Sequence, residues 1–328
     1  RKLYDRRCYL MAKVNVGIIG LGAVGERLLK QFLANPDTEV VAINDVNEER
    51  MEEVRRTFVD ATPYTNHKDL IADESVHLVY VAVPPKFHHA IALDVLEAGK
   101  HILCEKPLAN NYEESKEMAE KANVAGVVNA INFPLPYSSP IQLLEEKVKN
   151  NEIGQVKRID FKMHFTAWPR AWQQNPWIAK REQGGFIREI MPHYIQVIRQ
   201  IFGDVKEVQS HIDYPENEED CETGIIARLE LENGTPVSIN GLSGIGKKED
   251  VALRLYGEEG VLSIINWTTL TYSSLTEEES VVAHRDREAK MPLVDELVKA
   301  VSGEPAHLVT FEEGFAVQEV LEKLLGRA

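Results

Sequence analysis

Apolar and polar positions divide the chain into two stretches with different rhythms. From residue 14 to 131, short apolar runs alternate with segments of helical spacing. The runs at 14–19, 39–45, 76–83, 101–104 and 126–131 are rich in Val and Ile. Continuous runs of that kind read as strands buried on both faces. Between them, helical patterns cover 26–33, 48–58, 66–72 with Asn66 as cap, and 112–123. A further helix carries Ile91, Leu93, Val95 and Leu96, with Gly99 where a C-cap falls. Pro84-Pro85 closes the third run, since proline has no N–H to donate to a ladder. Alternation of strand and helix predicts an α/β, doubly wound parallel sheet, which binds ligands beyond the carboxyl ends of its strands.

The second stretch is richer in strands. A helix at 139–150 and a strand at 156–165 open it. A helix running from 184–193 to about 202 follows, with Ile187, Ile190, Met191, Tyr194, Ile198 and Ile201 as its buried stripe. Strands are expected at 205–213, 223–232, 236–242, 250–256 and 260–265, with Asn233-Gly234 as a hairpin turn. The acidic runs at 216–220 and 277–279 read as solvated loops. Amphipathic helices at 292–301 and 311–325 are expected to pack back toward the first domain. The predicted organisation is a dinucleotide-binding domain over 11–132 and a second α/β domain over 133–328. Residues 1–10 read as a leader or non-native extension ahead of Met11.

Composition narrows the classes. A chain of 328 residues has room for about two domains. Its net charge of −15, from 37 basic and 52 acidic residues, argues against a nucleic-acid partner. No apolar run approaches the ~20 residues that span a bilayer. Arg6-Arg7 has no apolar segment after it that would make an export signal. Cys8, Cys104 and Cys221 are too scattered for a disulfide framework or metal cluster, so free thiols and a cytoplasmic location are expected. No metal site, internal repeat, phosphate-binding P-loop or nucleophile elbow is evident.

The chemistry begins where the first run ends, in Gly20-Leu21-Gly22-Ala23-Val24-Gly25. A G-x-G-x-x-G between strand and helix points to a dinucleotide. Gly20 makes the tight turn, Gly22 lets a pyrophosphate approach, and Gly25 allows close packing of helix on strand. Ala23 and Val24 open the helix whose N-terminal N–H groups face the phosphates. Asp45, 20 residues beyond Gly25, stands where an acid holds the adenine ribose hydroxyls. Its charge favours NAD, without excluding NADP; capping the helix that starts near Asn47 is its alternative use.

Three strings resemble the Gfo/Idh/MocA family, the glucose–fructose oxidoreductase and inositol dehydrogenase group: residues 20–25, Val81-Ala82-Val83-Pro84-Pro85-Lys86-Phe87-His88, and residues 97–109 with Glu105-Lys106-Pro107 at their centre. The resemblance implies an N-terminal Rossmann domain and a C-terminal α/β domain with a large open, mostly antiparallel sheet. It also implies NAD(P)-dependent redox chemistry on sugars, polyols or related compounds, and homo-oligomers, dimer or tetramer, joined through that sheet. Pro84, His88 and Glu105 then join the cofactor-binding residues, and Lys106 takes the family's catalytic lysine position. An amine beside a nicotinamide can stabilise a developing alkoxide or carry the hydroxyl proton.

The family's second motif, a glycine run followed by an acid and a histidine four residues on, falls on Gly184, Gly185, Glu189 and His193, with Glu189 in place of aspartate. His193 is expected as the proton donor or acceptor and Glu189 as the group that orients it. Glu189, His193, Gln196 and Gln200 form one polar line on the helix, and Pro192 lies within it. Three of the four tryptophans fall within residues 168–177. Trp168, Arg170 and Trp172, with Arg188, are expected to contact a small-molecule substrate by stacking and charge. Two rival readings share the scaffold: a glycosidase that uses NAD transiently, and a catalytically silent nucleotide sensor.

Overall fold

The computed structural model describes residues 13–173, 175–285 and 292–327; the extension expected at 1–10 lies outside them. Contacts divide the chain into two compact units. The first runs to Cys104 and includes Lys121–Ala130 and Leu293–Leu308, and the second comprises Glu105–Glu120, Ile131–Pro292 and the chain from Val309.

The first stretch supplies β1 (Val14–Ile19), α1 (Ala23–Ala34), β2 (Thr38–Asn44), α2 (Glu48–Thr57), β3 (Thr62–Tyr64), α3 (His67–Ala72), β4 (Leu78–Val81), α4 (His88–Glu97), β5 (His101–Glu105), α5 (Tyr112–Ala125) and β6 (Asn129–Asn132). The strands form one sheet in the order β3-β2-β1-β4-β5-β6. β1 pairs in parallel with both β2 and β4, so the strand order reverses at β1 and opens a crevice beyond its carboxyl end. Val16, Ile18, Val79, Tyr80, Ile102 and Leu103 are fully buried, as the continuous apolar runs predict. β4 is shorter than the predicted 76–83, since Val83 and the prolines have already left the ladder.

The second stretch supplies α6 (Ser139–Lys149), β7 (Val156–Phe165), α7 (Phe186–Phe202), β8 (Val205–Asp213), β9 (Gly224–Leu231), β10 (Pro236–Ser243), β11 (Asp250–Gly257), β12 (Val261–Ile265), β13 (Thr269–Ser273), β14 (Ser280–His284), α8 (Leu293–Val301) and α9 (Phe311–Leu324). Its eight-stranded sheet has the order β14-β13-β12-β11-β7-β10-β9-β8, with β7 and β10 the one parallel pair. Gly234, at φ +83, closes the expected β9–β10 hairpin.

Strand alternation gives this sheet two unlike faces. Ile159, Phe161, Met163 and Phe165 of β7 are buried on one side. Arg158, Asp160, Lys162 and His164 line the other, where Lys162 pairs with Asp250 at 2.7 Å and His164 meets Asn240 at 2.8 Å. α6 packs on β12–β14, and α9 packs on α7 and β8. α8 belongs to the first unit, where Asp295 accepts a 2.6 Å hydrogen bond from Asn35. Among the described residues no helix is long and apolar enough to cross a membrane, and no cluster of His, Cys, Asp or Glu could hold a metal.

Candidate active site

The glycine turn is built by sterics. Gly20 has φ +96, and a Cβ there would lie 2.2 Å from the Ala82 carbonyl oxygen. A Cβ on Gly25 would lie 2.1 Å from the carbonyl oxygen of Gly20. Both positions therefore exclude every other residue while the backbone keeps its path. Gly22 differs: it is the N-cap of α1, no side chain caps it, and nothing lies within 4 Å of where its Cβ would be. That open space before the first N–H groups of α1, at Ala23 and Val24, is what a pyrophosphate needs.

Asp45 follows β2 and is tied to this turn. Its Oδ2 accepts from Leu21 N at 2.7 Å and its Oδ1 from Asn47 N at 2.9 Å. Asp45 is not the cap of α2; Asn47 is, its side chain accepting from Arg50 N. Arg50, in the first turn of α2, belongs to no motif of the sequence but is tied to the same glycine turn. Its Nε donates to the Leu21 carbonyl at 2.9 Å, and it pairs with Glu26 and with Glu53 at 2.6 Å.

Pro84 is exposed beyond β4, whereas His88 is fully buried with Nε2 2.8 Å from the Val83 carbonyl. His88 thus holds the strand-end loop from within. Glu105 is also buried, and its Oε1 accepts a 2.6 Å hydrogen bond from Asn132 at the end of β6.

In the second unit, Lys106 follows β5 directly, and the Lys106–Pro107 peptide is cis. Its Nζ lies 3.3 Å from Glu189 Oε2 and 3.4 Å from the Glu189 carbonyl, with the two side chains 18% and 16% exposed. Partly open to solvent, the pair is accessible to a ligand. One helical turn beyond Glu189, His193 is buried between the rings of Phe133 and Trp267, perpendicular to both at 5.6 and 5.5 Å. Further along the polar line Gln196 is buried, and Gln200 donates to Glu145 at 2.6 Å. α7 runs through Pro192 without interruption.

The start of α7 explains its glycine pair. Buried Glu222 accepts from Ile187 N at 2.7 Å, and a Cβ on Gly185, at φ +97, would lie 2.2 Å from that carboxylate. Burial pushes the Glu222 carboxyl above the usual range. No motif marks this residue, which follows an acidic run.

Trp168, Arg170 and Trp172 do come together. The Arg170 guanidinium lies over the rings of Phe165, Trp168 and Trp172 at 5.1, 5.4 and 5.6 Å and pairs with Glu249 at 2.8 Å. Trp172 is 70% exposed, a large apolar surface open to a ligand. Trp168 packs edge-on against Phe186, the first residue of α7. Arg188 is not with them. It is buried against Glu322 of α9 at 3.2 Å, and burial pushes its guanidinium down from its ordinary value.

A six-stranded Rossmann sheet with an open glycine turn, and a second unit carrying a lysine–carboxylate pair with an adjacent histidine, are the parts of a nicotinamide-dependent oxidoreductase. Residues 14–133 match the oxidoreductase family with NAD-binding Rossmann fold, and residues 141–263 match the GFO/IDH/MocA C-terminal domain. The chain belongs to the Gfo/Idh/MocA family of NAD(P)-dependent oxidoreductases.

Among its relatives, oxidoreductase P35 of Formosa agariphila is 25% identical over 325 residues, covering 96% of this chain and 99% of that protein. Levoglucosan dehydrogenase of Pseudarthrobacter phenanthrenivorans is 28% identical over 61% of this chain, and the match spans about half (54%) of that protein's length. A solved structure of levoglucosan dehydrogenase with NADH and levoglucosan aligns with TM-score 0.85 at 20% identity, covering 96% of this chain and 97% of that one. Biliverdin reductase of Synechocystis with biliverdin and NADP+ aligns with TM-score 0.79 at 21% identity, covering 96% and 99%. At these identities the structural likeness is one of fold.

Proposed function

We propose that this protein is a dehydrogenase or reductase that moves a hydride between nicotinamide and a hydroxyl or carbonyl carbon of a sugar, polyol or related cyclic compound. One observation carries the reading: Lys106, directly after β5, is held 3.3 Å from Glu189, with His193 one turn further along the same helix. The nicotinamide supplies hydride acceptance and donation when bound. This chain's own residues supply the rest. Lys106 stabilises alkoxide character on the reacting oxygen and shares its proton; His193 gives or takes that proton; Glu189 fixes the ammonium.

Gly20, Gly22, Ala23, Val24 and Gly25 cradle the pyrophosphate in this proposal, and Pro84 borders the cofactor. His88 and Glu105 act from behind, through Val83 and Asn132. Asp45 favours NAD over NADP, because a carboxylate there repels a 2′-phosphate. The Trp168, Arg170 and Trp172 cluster offers rings and a guanidinium to a sugar face. Names among the relatives support the substrate class: levoglucosan dehydrogenase, and a myo-inositol 2-dehydrogenase of Thermotoga maritima 28% identical over 60% of this chain.

The proposal further takes the enzyme as a cytoplasmic homo-oligomer, dimer or tetramer, joined through the outer face of the second sheet. Ile226 and Val281, 67% and 65% exposed there, support a buried contact; light scattering of the purified chain tests it.

The functional test is a panel of polyols, inositols, sugar acids and dihydrodiols, followed by nicotinamide absorbance. Steady NADH formation that disappears in His193→Ala is the expected outcome. Sugar release without net NADH would favour the glycosidase, and tight NAD binding without turnover on any compound would favour the sensor.

A further inference from the structure

The fourth tryptophan, Trp267, lies outside every motif and occupies a backbone position ill suited to it. It sits in the three-residue connection between β12 and β13, where Thr268 N donates to the Ile265 carbonyl at 3.2 Å and makes Asn266 and Trp267 the central residues of a β-turn. Both turn residues have positive φ, +45 for Asn266 and +71 for Trp267. Such turns favour Asn followed by Gly, because only glycine enters the left-handed region without steric cost. Asn266 satisfies its half of the rule and anchors the turn: its backbone N donates to the Val251 carbonyl at 2.7 Å, and its side-chain oxygen accepts from Val251 N at 3.0 Å. Trp267 violates the other half. A glycine would meet the backbone demand at lower cost, so what tryptophan adds is its indole.

The indole fills the angle between two consecutive side chains of α7. Its ring is 5.5 Å from His193, at 84° to it, and 4.9 Å from Tyr194. Phe133 stands on His193 at 86°, and Phe161 lies 4.3 Å from Tyr194. Phe161, Tyr194, Trp267, His193 and Phe133 therefore form one continuous row of rings inside the second unit. Non-glycine residues in the left-handed region persist when their surroundings over-determine them, and they cluster at working sites.

We propose that Trp267 is a positioning residue for His193: the strained β12–β13 turn presses the indole edge-on to the imidazole and, with Phe133, fixes the ring plane in which His193 handles its proton. This rests on the proton-transfer role given to His193 above, so the test reads the imidazole itself as well as turnover. Proton transfer demands tight geometry, and small losses of orientation are expensive in rate.

The experiment compares wild type, Trp267→Gly, Trp267→Phe and Trp267→Leu, each saturated with NAD, by titrating the carbon-13-labelled His193 imidazole in NMR spectra assigned with His193→Asn. Turnover is measured on the first panel compound that wild type oxidises. The glycine and leucine variants are expected to move and broaden the His193 resonance. They should lower kcat by about 10- to 100-fold and displace the pH–rate midpoint, with KM for NAD held within about twofold. Phenylalanine, which restores a ring, is expected to recover the resonance and kcat to within about threefold of wild type.

An unchanged His193 resonance, titration and kcat in both ring-free variants would overturn the proposal. So would equal losses in the phenylalanine and leucine variants. Should glycine prevent folding, leucine against phenylalanine decides alone. Full turnover in His193→Asn would overturn the catalytic reading of His193, while the resonance still reports whether Trp267 holds the ring.

Discussion

The two regions proposed to do this chain's work are built in opposite ways. The cofactor turn is made from contiguous residues, Gly20 to Gly25, and its shape is enforced by backbone sterics against Ala82 and within the turn itself. The proposed proton-handling region is assembled from side chains far apart in sequence: Lys106 after β5, Glu189 and His193 on α7, and rings from Phe133 and Trp267. A site written into the backbone fails by failing to fold. A site assembled from side chains fails in its chemistry while the fold survives.

The sharpest break in that contrast is Gly20→Ala. Its φ of +96 and the 2.2 Å approach to Ala82 O leave no room, so a stability loss of about 3 kcal/mol or more is expected in denaturant titration. Gly22→Ala is the matched control. It meets open space at an ordinary φ of −63, so stability should hold within about 0.5 kcal/mol while NAD affinity falls about tenfold. Equal destabilisation by the two would break the distinction between a turn that shapes the chain and one that receives a phosphate.

On the assembled side, Glu189→Ala is expected to lower kcat by about 30-fold and melting temperature modestly, because the pair is mostly buried and its loss leaves the Lys106 ammonium without its carboxylate. Calorimetry beside steady-state kinetics checks both halves. Asp45→Ser should shift the NADP-to-NAD ratio of kcat/KM toward NADP by about tenfold. A smaller shift would mean that Arg50, already committed to Leu21, Glu26 and Glu53, cannot be released to a 2′-phosphate.

The smallest effect concerns Glu222, whose carboxyl is raised by burial. The folded state then holds its proton to higher pH than the unfolded chain does. Stability from this group is complete below the unfolded value near 4.5 and is lost as pH rises through the raised folded value. Glu222→Gln keeps an acceptor for Ile187 N and removes the titration, so the variant should gain on wild type as pH climbs from about 4.5 toward neutrality. Melting temperatures across that range give the comparison; parallel curves would contradict it.

The same division governs what could be read from sequence. Buried runs such as Val14–Ile19 and the β9–β10 turn were legible because their signals are local. β3, β13 and β14 were not foreseen. β3 has three residues with a proline among them, β13 is rich in Thr and Ser, and β14 is a short, mostly exposed edge strand. In the first region, the open space at Gly22 fits a glycine pattern read directly. In the second, resemblance brought Lys106 and Glu189 to attention, since no spacing rule joins residues 83 positions apart. Adjacency misled at Arg188. One helical step of about 100° turns it onto a different face of α7 from Glu189, into the pair with Glu322. Trp267 and Glu222 had no motif at all, and their importance exists only after folding.

The central claim is that the assembled region does chemistry rather than hold cofactor. Lys106→Ala tests it most directly when its NADH dissociation constant and its turnover are measured on the same preparation. The expected result is NADH affinity within about threefold of wild type and turnover lower by about a thousandfold. Turnover retained, or lost only in proportion to NADH binding, would contradict the account.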